Sequence, residues 1–107
     1  ETYNVDLPDL PACLQALPEL FDSLLGRIER ADAGRHIHKL FAKIKFSDFQ
    51  QTTVECLGTA PDIVQFGRLL ETGFLRRNKP VRLLGVGVRL GEQASLEQLS
   101  LFNDNAI

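Results

Sequence analysis

The stretch H-I-H-K-L-F-A-K-I-K-F-S-D-F-Q-Q-T-T-V-E-C, residues His36–Cys56, decides how this chain folds. From His36 to Phe46 the apolar residues alternate. Leu40, Ala42, Ile44 and Phe46 share one face, and Lys39, Phe41, Lys43 and Lys45 share the other. Such alternation marks a strand buried on one side and, here, basic on the other. Ser47-Asp48 reads as a turn, because short polar side chains bond their own neighbouring backbone. Gln51 to Cys56 alternates again, with Thr52, Val54 and Cys56 inward and Gln51, Thr53 and Glu55 outward. Two such runs joined by a short turn predict an antiparallel hairpin.

Upstream of the hairpin, Thr2, Tyr3 and Val5 read as the end of a strand. Leu7-Pro8-Asp9-Leu10-Pro11 leads into a helix, with Asp9 as N-cap and Pro11 in the first turn. Its apolar stripe is Leu14, Leu17, Phe21, Leu24, Leu25 and Ile28. Pro18 lies within it, lacks an amide donor, and predicts a kink or a fresh start. Ala33-Gly34 ends the helix. Downstream, Gly58 breaks the second hairpin strand, and Thr59 caps a helix with Asp62 three residues on. Ile63, Phe66, Leu69, Leu70 and Phe74 form that helix's stripe, and Asn78-Lys79-Pro80 ends it.

Val81 to Leu90 is the last strand, with Leu84, Val86, Val88 and Leu90 on one face. Leu83, Gly85, Gly87 and Arg89 lie on the other, and by the same parity Arg82 falls with the core side. Two alternate glycines leave a flat surface that another backbone or a ligand can approach. The order is β-α-β-β-α-β. It is an α+β fold, with two helices on one face of an antiparallel or mixed four-stranded sheet. The other face is polar, basic and partly flat. Residues 1–90 form this domain and residues 91–107 a flexible tail.

Composition agrees. A chain of 107 residues with 44% apolar and 24% charged residues suits one modest core. No apolar run approaches the ~20 residues that span a bilayer, and no basic-then-apolar pattern gives reason to expect export. The chain opens at Glu1 and reads as a fragment of something longer. Cys13 and Cys56 sit far apart, outside any metal-type spacing, as buried thiols of a reducing cytoplasm would.

The net charge of -2 conceals sorting along the chain. Of the 12 Lys and Arg, six fall in Arg27–Lys45 and five in Arg76–Arg89, windows whose only acids are Glu29 and Asp32. A basic surface on a mildly acidic protein suits a phosphate backbone. A merely solvated basic face would look the same.

Catalytic chemistry is not provided for. No carboxylates pair at the short spacing that two metal ions need. Gly85-Val86-Gly87 lacks the third glycine and following helix of a phosphate loop. His36 and His38 share a strand face, but no third metal ligand joins them. The tail is more telling. After the small, polar Gly91–Ser95 come Leu96, Leu99, Leu101 and Phe102, close to the chain end. Such residues either pack as a short terminal strand or turn, or anchor an extended peptide in a partner's pocket. In the second case Gln98 would bond directionally, and Leu101 and Phe102 would be the anchors.

These residues resemble a known family. Gln98-Leu99-Ser100-Leu101-Phe102 is similar to the Q-L-S/D-L-F pentapeptide of bacterial clamp-binding proteins. Lys45–Thr53, K-F-S-D-F-Q-Q-T-T, resembles the K-F-x-D-F-x-x-T-T stretch in the C-terminal domain of the DNA polymerase IV branch of the Y-family. Val81–Val86 resembles that domain's last strand, Glu1-Thr2-Tyr3 its entry, and Leu17-Pro18-Glu19-Leu20 a proline step of its first helix. The resemblance implies the little-finger domain of a translesion DNA polymerase. It would lie with its sheet on the backbone of primer–template DNA and dock on the sliding clamp, the beta subunit of DNA polymerase III. The DNA contacts it implies are Arg35, Lys43, Lys45, Gln51, Thr53, Arg82, Gly85, Gly87 and Arg89, and the clamp contacts Gln98, Leu99, Ser100, Leu101 and Phe102. The catalytic carboxylates and their Mg2+ would belong to an upstream palm, leaving this segment a non-catalytic, cytoplasmic monomer without a cofactor of its own. The family's first strand begins before Glu1, which implies a short or poorly paired strand here. Two other readings stay open. One is a clamp-binding adaptor that never meets DNA. The other is a ferredoxin-like RNA-binding module, for which only Phe41 faces outward to stack on a base.

Overall fold

The structure, a computed structural model, describes residues 2–32, 36–91 and 100–102. Its elements are β1 (Thr2–Leu7), α1 (Leu10–Ala31), β2 (Ile37–Phe46), β3 (Gln51–Leu57), α2 (Ile63–Leu75), β4 (Val81–Leu90) and β5 (Ser100–Phe102). The hairpin forms as the alternation predicts, with Ala42 opposite Val54 and Lys43 opposite Thr53. The sheet runs β1-β4-β2-β3 with every pair antiparallel. β4 lies between β1 and β2, and β2 between β3 and β4. Two β-α-β crossovers therefore interlock, and both helices cover the same face.

β1 is short and its pairing with β4 is irregular: Thr2 faces Leu83 and Leu7 faces Val81. The tail adds a strand. Residues 91–107 were expected to be flexible, but the backbone of Ser100–Phe102 pairs with β4, setting Ser100 opposite Arg89, Leu101 opposite Val88 and Phe102 opposite Gly87. The open hydrogen-bonding edge of β4 beyond β1 explains this, because unpaired strand backbone recruits a partner.

Asp9 caps α1 as expected, its Oδ1 accepting from the Ala12 amide at 3.0 Å. The helix then runs unbroken through Pro18. The carbonyl of Leu14, which Pro18 cannot serve, belongs to a residue 39% exposed, so water can replace the lost donor. The helix ends on Asp32, not on Gly34. Asp32 takes a left-handed conformation (φ 51°) and its N–H donates to the carbonyls of Glu29 and Ile28, since a short polar side chain tolerates that region. The buried stripe is Cys13, Leu17, Leu20, Leu24 and Ile28. Leu14 and Leu25 are partly exposed, and Phe21 packs edge-on against Phe66 from the margin.

α2 begins later than Thr59. Asp62 is its cap, with Oδ1 accepting from Val64 and Gln65 at 2.9 and 3.4 Å. A proline disfavours the helical conformation in the residue before it, so Pro61 works against a helix that starts at Thr59 or Ala60. Phe66, Leu69, Leu70 and Phe74 are buried against the sheet, where Leu40, Ala42, Ile44, Phe46, Leu84, Val86 and Val88 complete the core. Both cysteines are free, and Cys13 is buried in this core. Burial, helped by nearby Asp9, pushes its thiol up to about 11, so it behaves as a small apolar residue.

Candidate nucleic-acid interface

The face of the sheet turned away from the helices is built by strand register. Its rows run across β3, β2 and β4: Gln51–Lys45–Leu83, Thr53–Lys43–Gly85, Glu55–Phe41–Gly87 and Leu57–Lys39–Arg89. Lys43, Lys45, Gln51, Thr53 and Arg89 thus share one surface, as the alternation requires.

The two ends of this surface differ in charge. At the end away from the hairpin turn, Glu55 accepts Lys39 at 3.6 Å and the Arg89 Nε at 3.3 Å. Arg89 also lies over the Phe41 ring, 4.5 Å from its centroid. Its charge is therefore partly spent inside the domain. At the turn end Lys43 and Lys45 stand beside the neutral Thr53 and Gln51. The positive potential that attracts a polyanion is concentrated there.

Arg82 joins that end by an irregularity. Lys45 faces Leu83, but Phe46 faces Val81. Arg82 has no partner in β2, as in a bulge, and bulges re-aim side chains. Its guanidinium sits over the Phe49 ring, 4.7 Å from the centroid, and the Lys45 ammonium sits over the same ring at 5.5 Å. Strand parity placed Arg82 with the core face; the bulge brings it to the hairpin tip instead. The turn is a three-residue loop in which the Phe46 amide donates to Gln50 O at 2.8 Å and the Phe49 amide to Phe46 O at 2.9 Å.

Asp48 anchors the loop to the end of α2. Its carboxylate accepts Arg77 at 2.6 Å, Lys79 at 3.3 Å and the Gln50 amide at 3.1 Å. The Arg77 hydrogen bond first, then the Gln50 amide and Lys79, hold Asp48 down at about 2. Arg76 reaches Thr52 Oγ1 at 2.6 Å and Thr53 O at 3.3 Å. Part of the second basic window of the sequence is therefore occupied in fastening the hairpin to α2.

The glycine expectation needs correction. Gly85 and Gly87 are buried, so no open, flat strip is offered to a sugar-phosphate chain. Gly87 faces Phe41, and an aromatic beside a cross-strand glycine fills the space its missing side chain leaves. Phe41 is 3% exposed and Leu83 2%, although both lie on the face turned away from the helices. With Phe41 under Arg89, the one outward strand aromatic on which the RNA-binding reading rested is already covered, which weakens that reading. Arg35, Gln98 and Leu99 lie outside the described residues. Ser100, Leu101 and Phe102 are placed by their pairing with β4. No group of three His, Cys, Asp or Glu among the described residues could hold a metal ion, and no described helix is long and apolar enough to cross a membrane.

Sequence reasoning missed two functional candidates here, Phe49 and Glu55. Glu55 was legible as an outward acid, but its engagement of Arg89 depends on β3 and β4 flanking β2. Phe49 follows the Ser47-Asp48 turn and carried no role of its own in the alternation.

Known proteins match the chain along most of its length. It is 52% identical over 104 residues to DNA polymerase IV of Pseudomonas entomophila, covering 96% of this chain and 29% of that protein. It is 46% identical over 101 residues to DNA polymerase IV of Legionella pneumophila strain Corby, covering 94% and 28%. The chain thus spans less than a third of these curated relatives. A solved complex of a beta-clamp processivity factor with the little finger domain of PolIV superposes with a TM-score of 0.81 at 26% identity, covering 92% of this chain and 91% of that one. A family model matches residues 1–101, and the chain belongs to that family, the impB/mucB/samB family C-terminal domain.

Proposed function

We propose that this domain is the DNA-gripping and clamp-docking module of a Y-family translesion polymerase. The observation that carries the DNA reading is the grouping of Lys43, Lys45 and Arg82 at the hairpin end, with Gln51 and Thr53 beside them as neutral hydrogen-bonding groups. Three cations with no base-reading group among them track phosphates, so binding tolerates sequence. Nucleotidyl transfer and its Mg2+ belong to another part of the longer protein. This domain raises occupancy of the primer terminus.

The clamp reading rests on Gln98–Phe102 and on the similarity to a little finger domain solved with a beta clamp. Docking as an extended peptide requires Ser100–Phe102 to leave β4. That cost, added to the entropy of ordering the tail, makes the isolated contact weak, on the order of micromolar. The seven residues Gly91–Glu97 reach about 23 Å when extended. The domain can therefore hold clamp and DNA together, each raising the effective concentration of the other.

Titrating the 107-residue chain onto labelled primer–template DNA between about 50 and 200 mM salt tests the DNA reading. Three phosphate contacts give a slope of about -3 in log K against log salt. Combining Lys43→Ala, Lys45→Ala and Arg82→Ala should bring the slope close to zero. Glu55→Gln, which removes an acid and releases Arg89, should strengthen binding roughly two- to fivefold. A flat wild-type titration, or a triple variant that binds like wild type, overturns the assignment.

A further inference from the structure

Phe49 stands out once the cation pair is located. It is 61% exposed at the tip of the hairpin. Its φ is 69°, a left-handed conformation that glycine or asparagine adopts readily and a bulky aromatic does not. The third position of a three-residue hairpin loop is where glycine usually sits. An exposed apolar ring on a strained backbone contributes little to the core, and strain kept at such a place is a pointer to function.

The ring has two occupants. Arg82 lies over it with Cζ 4.7 Å from the centroid, and Lys45 with Nζ at 5.5 Å. The negative faces of the ring attract both cations and hold them at the hairpin tip. Among the described residues neither Lys45 nor Arg82 forms an ion pair. The nearest acid of the loop, Asp48, is committed to Arg77 and Lys79. The grouping therefore lacks an anion of its own, and phosphate oxygens are the acceptors that a guanidinium and an ammonium both bind well.

We propose that Phe49 is a positioning residue. Its ring holds Lys45 and Arg82 ready-made at the hairpin tip, where they meet the phosphate backbone of bound DNA. The inference rests on the DNA-binding reading above and sharpens it. The ring contributes no charge. It removes the rotamer entropy that two long side chains would otherwise lose on binding.

The test uses the 107-residue chain with Phe49→Gly, which suits the positive φ, and Phe49→Tyr, which keeps the ring face. Each is titrated against the same primer–template DNA across salt, with a thermal melt alongside. Phe49→Gly should weaken binding by roughly three- to tenfold, as expected when two ordered side chains become mobile. Its salt slope should stay at the wild-type value, because both cations still neutralise phosphate when bound. Its Tm should hold or rise, and Phe49→Tyr should bind like wild type. Undiminished affinity in Phe49→Gly overturns the inference. So does a weakening that comes with a lower Tm, which would make the ring part of the fold, or with a smaller slope, which would mean lost charge contacts. A wild-type chain that shows no salt-dependent binding fails the DNA reading itself and takes this inference with it.

Discussion

Asp48 holds three donors with one carboxylate: the Arg77 guanidinium, the Lys79 ammonium and the Gln50 amide. These bonds join the hairpin turn to the end of α2, which fixes the loop that carries Phe49. They also lower the Asp48 pKa from 3.8 to about 2, the Arg77 hydrogen bond contributing most. A folded-state pKa below the unfolded value stabilises the fold wherever the group is ionised in both states. That contribution is complete above pH ~4 to 5 and disappears as pH falls towards 2. The Tm gap between wild type and Asp48→Asn should therefore be constant near neutrality, shrink below about pH 4, and close near pH 2. Because the carboxylate is at the surface, added salt should narrow the gap. A gap independent of pH would mean that the carboxylate's charge does not fasten the loop.

The two glycines of α2 make opposite predictions at the scale of elements. Gly73 faces the sheet, and a Cβ there would lie 2.8 Å from Ile44 Cδ1 and 3.2 Å from Val54 Cγ2. Ile44 is 1% exposed and cannot move aside. Overpacking costs ~1–3 kcal/mol and outweighs the ~1 kcal/mol that alanine gains over glycine in a helix. At Gly67 the nearest atom is Leu17 Cδ2 at 3.8 Å, an ordinary contact, so only the propensity gain remains. Thermal melts should show Gly73→Ala lower by about 5 °C and Gly67→Ala equal or higher. Equal shifts in the same direction would mean that α2 does not pack on β2 and β3 as closely as described.

The same elements show why some features were legible and others were not. The hairpin could be read because Leu40, Ala42 and Ile44 against Lys39, Lys43 and Lys45 allow only one register with the basic side outward. Local hydrogen bonding settles helix starts, and Asp9 was found because its cap lies within three residues. Asp62 was missed in favour of Thr59 because two capping residues flank Pro61, and a choice between them depends on backbone conformation. The burial of Gly85, Gly87 and Phe41 was not legible, since it arises between strands distant in sequence. Arg82 was misread because a bulge shifts parity without leaving a mark in composition.

At the scale of the whole molecule, the two proposed contacts fall on two parts of one small domain. The outer sheet face, charged at the hairpin end, suits DNA, while Gln98–Phe102 suits a protein groove. The pairing of Ser100–Phe102 with β4 makes their independence a real question, because β4 also carries Arg89 and the bulge at Arg82. If the tail merely rests on β4, the DNA face does not depend on this pairing.

Combining Leu101→Ala with Phe102→Ala in the 107-residue chain, and measuring clamp capture and primer–template affinity on the same preparation, tests that most directly. Clamp capture should be abolished while DNA affinity and its salt slope stay at wild-type values. Loss of both together would show that the tail belongs to the fold, and retained clamp capture would show that these residues are not the docking peptide.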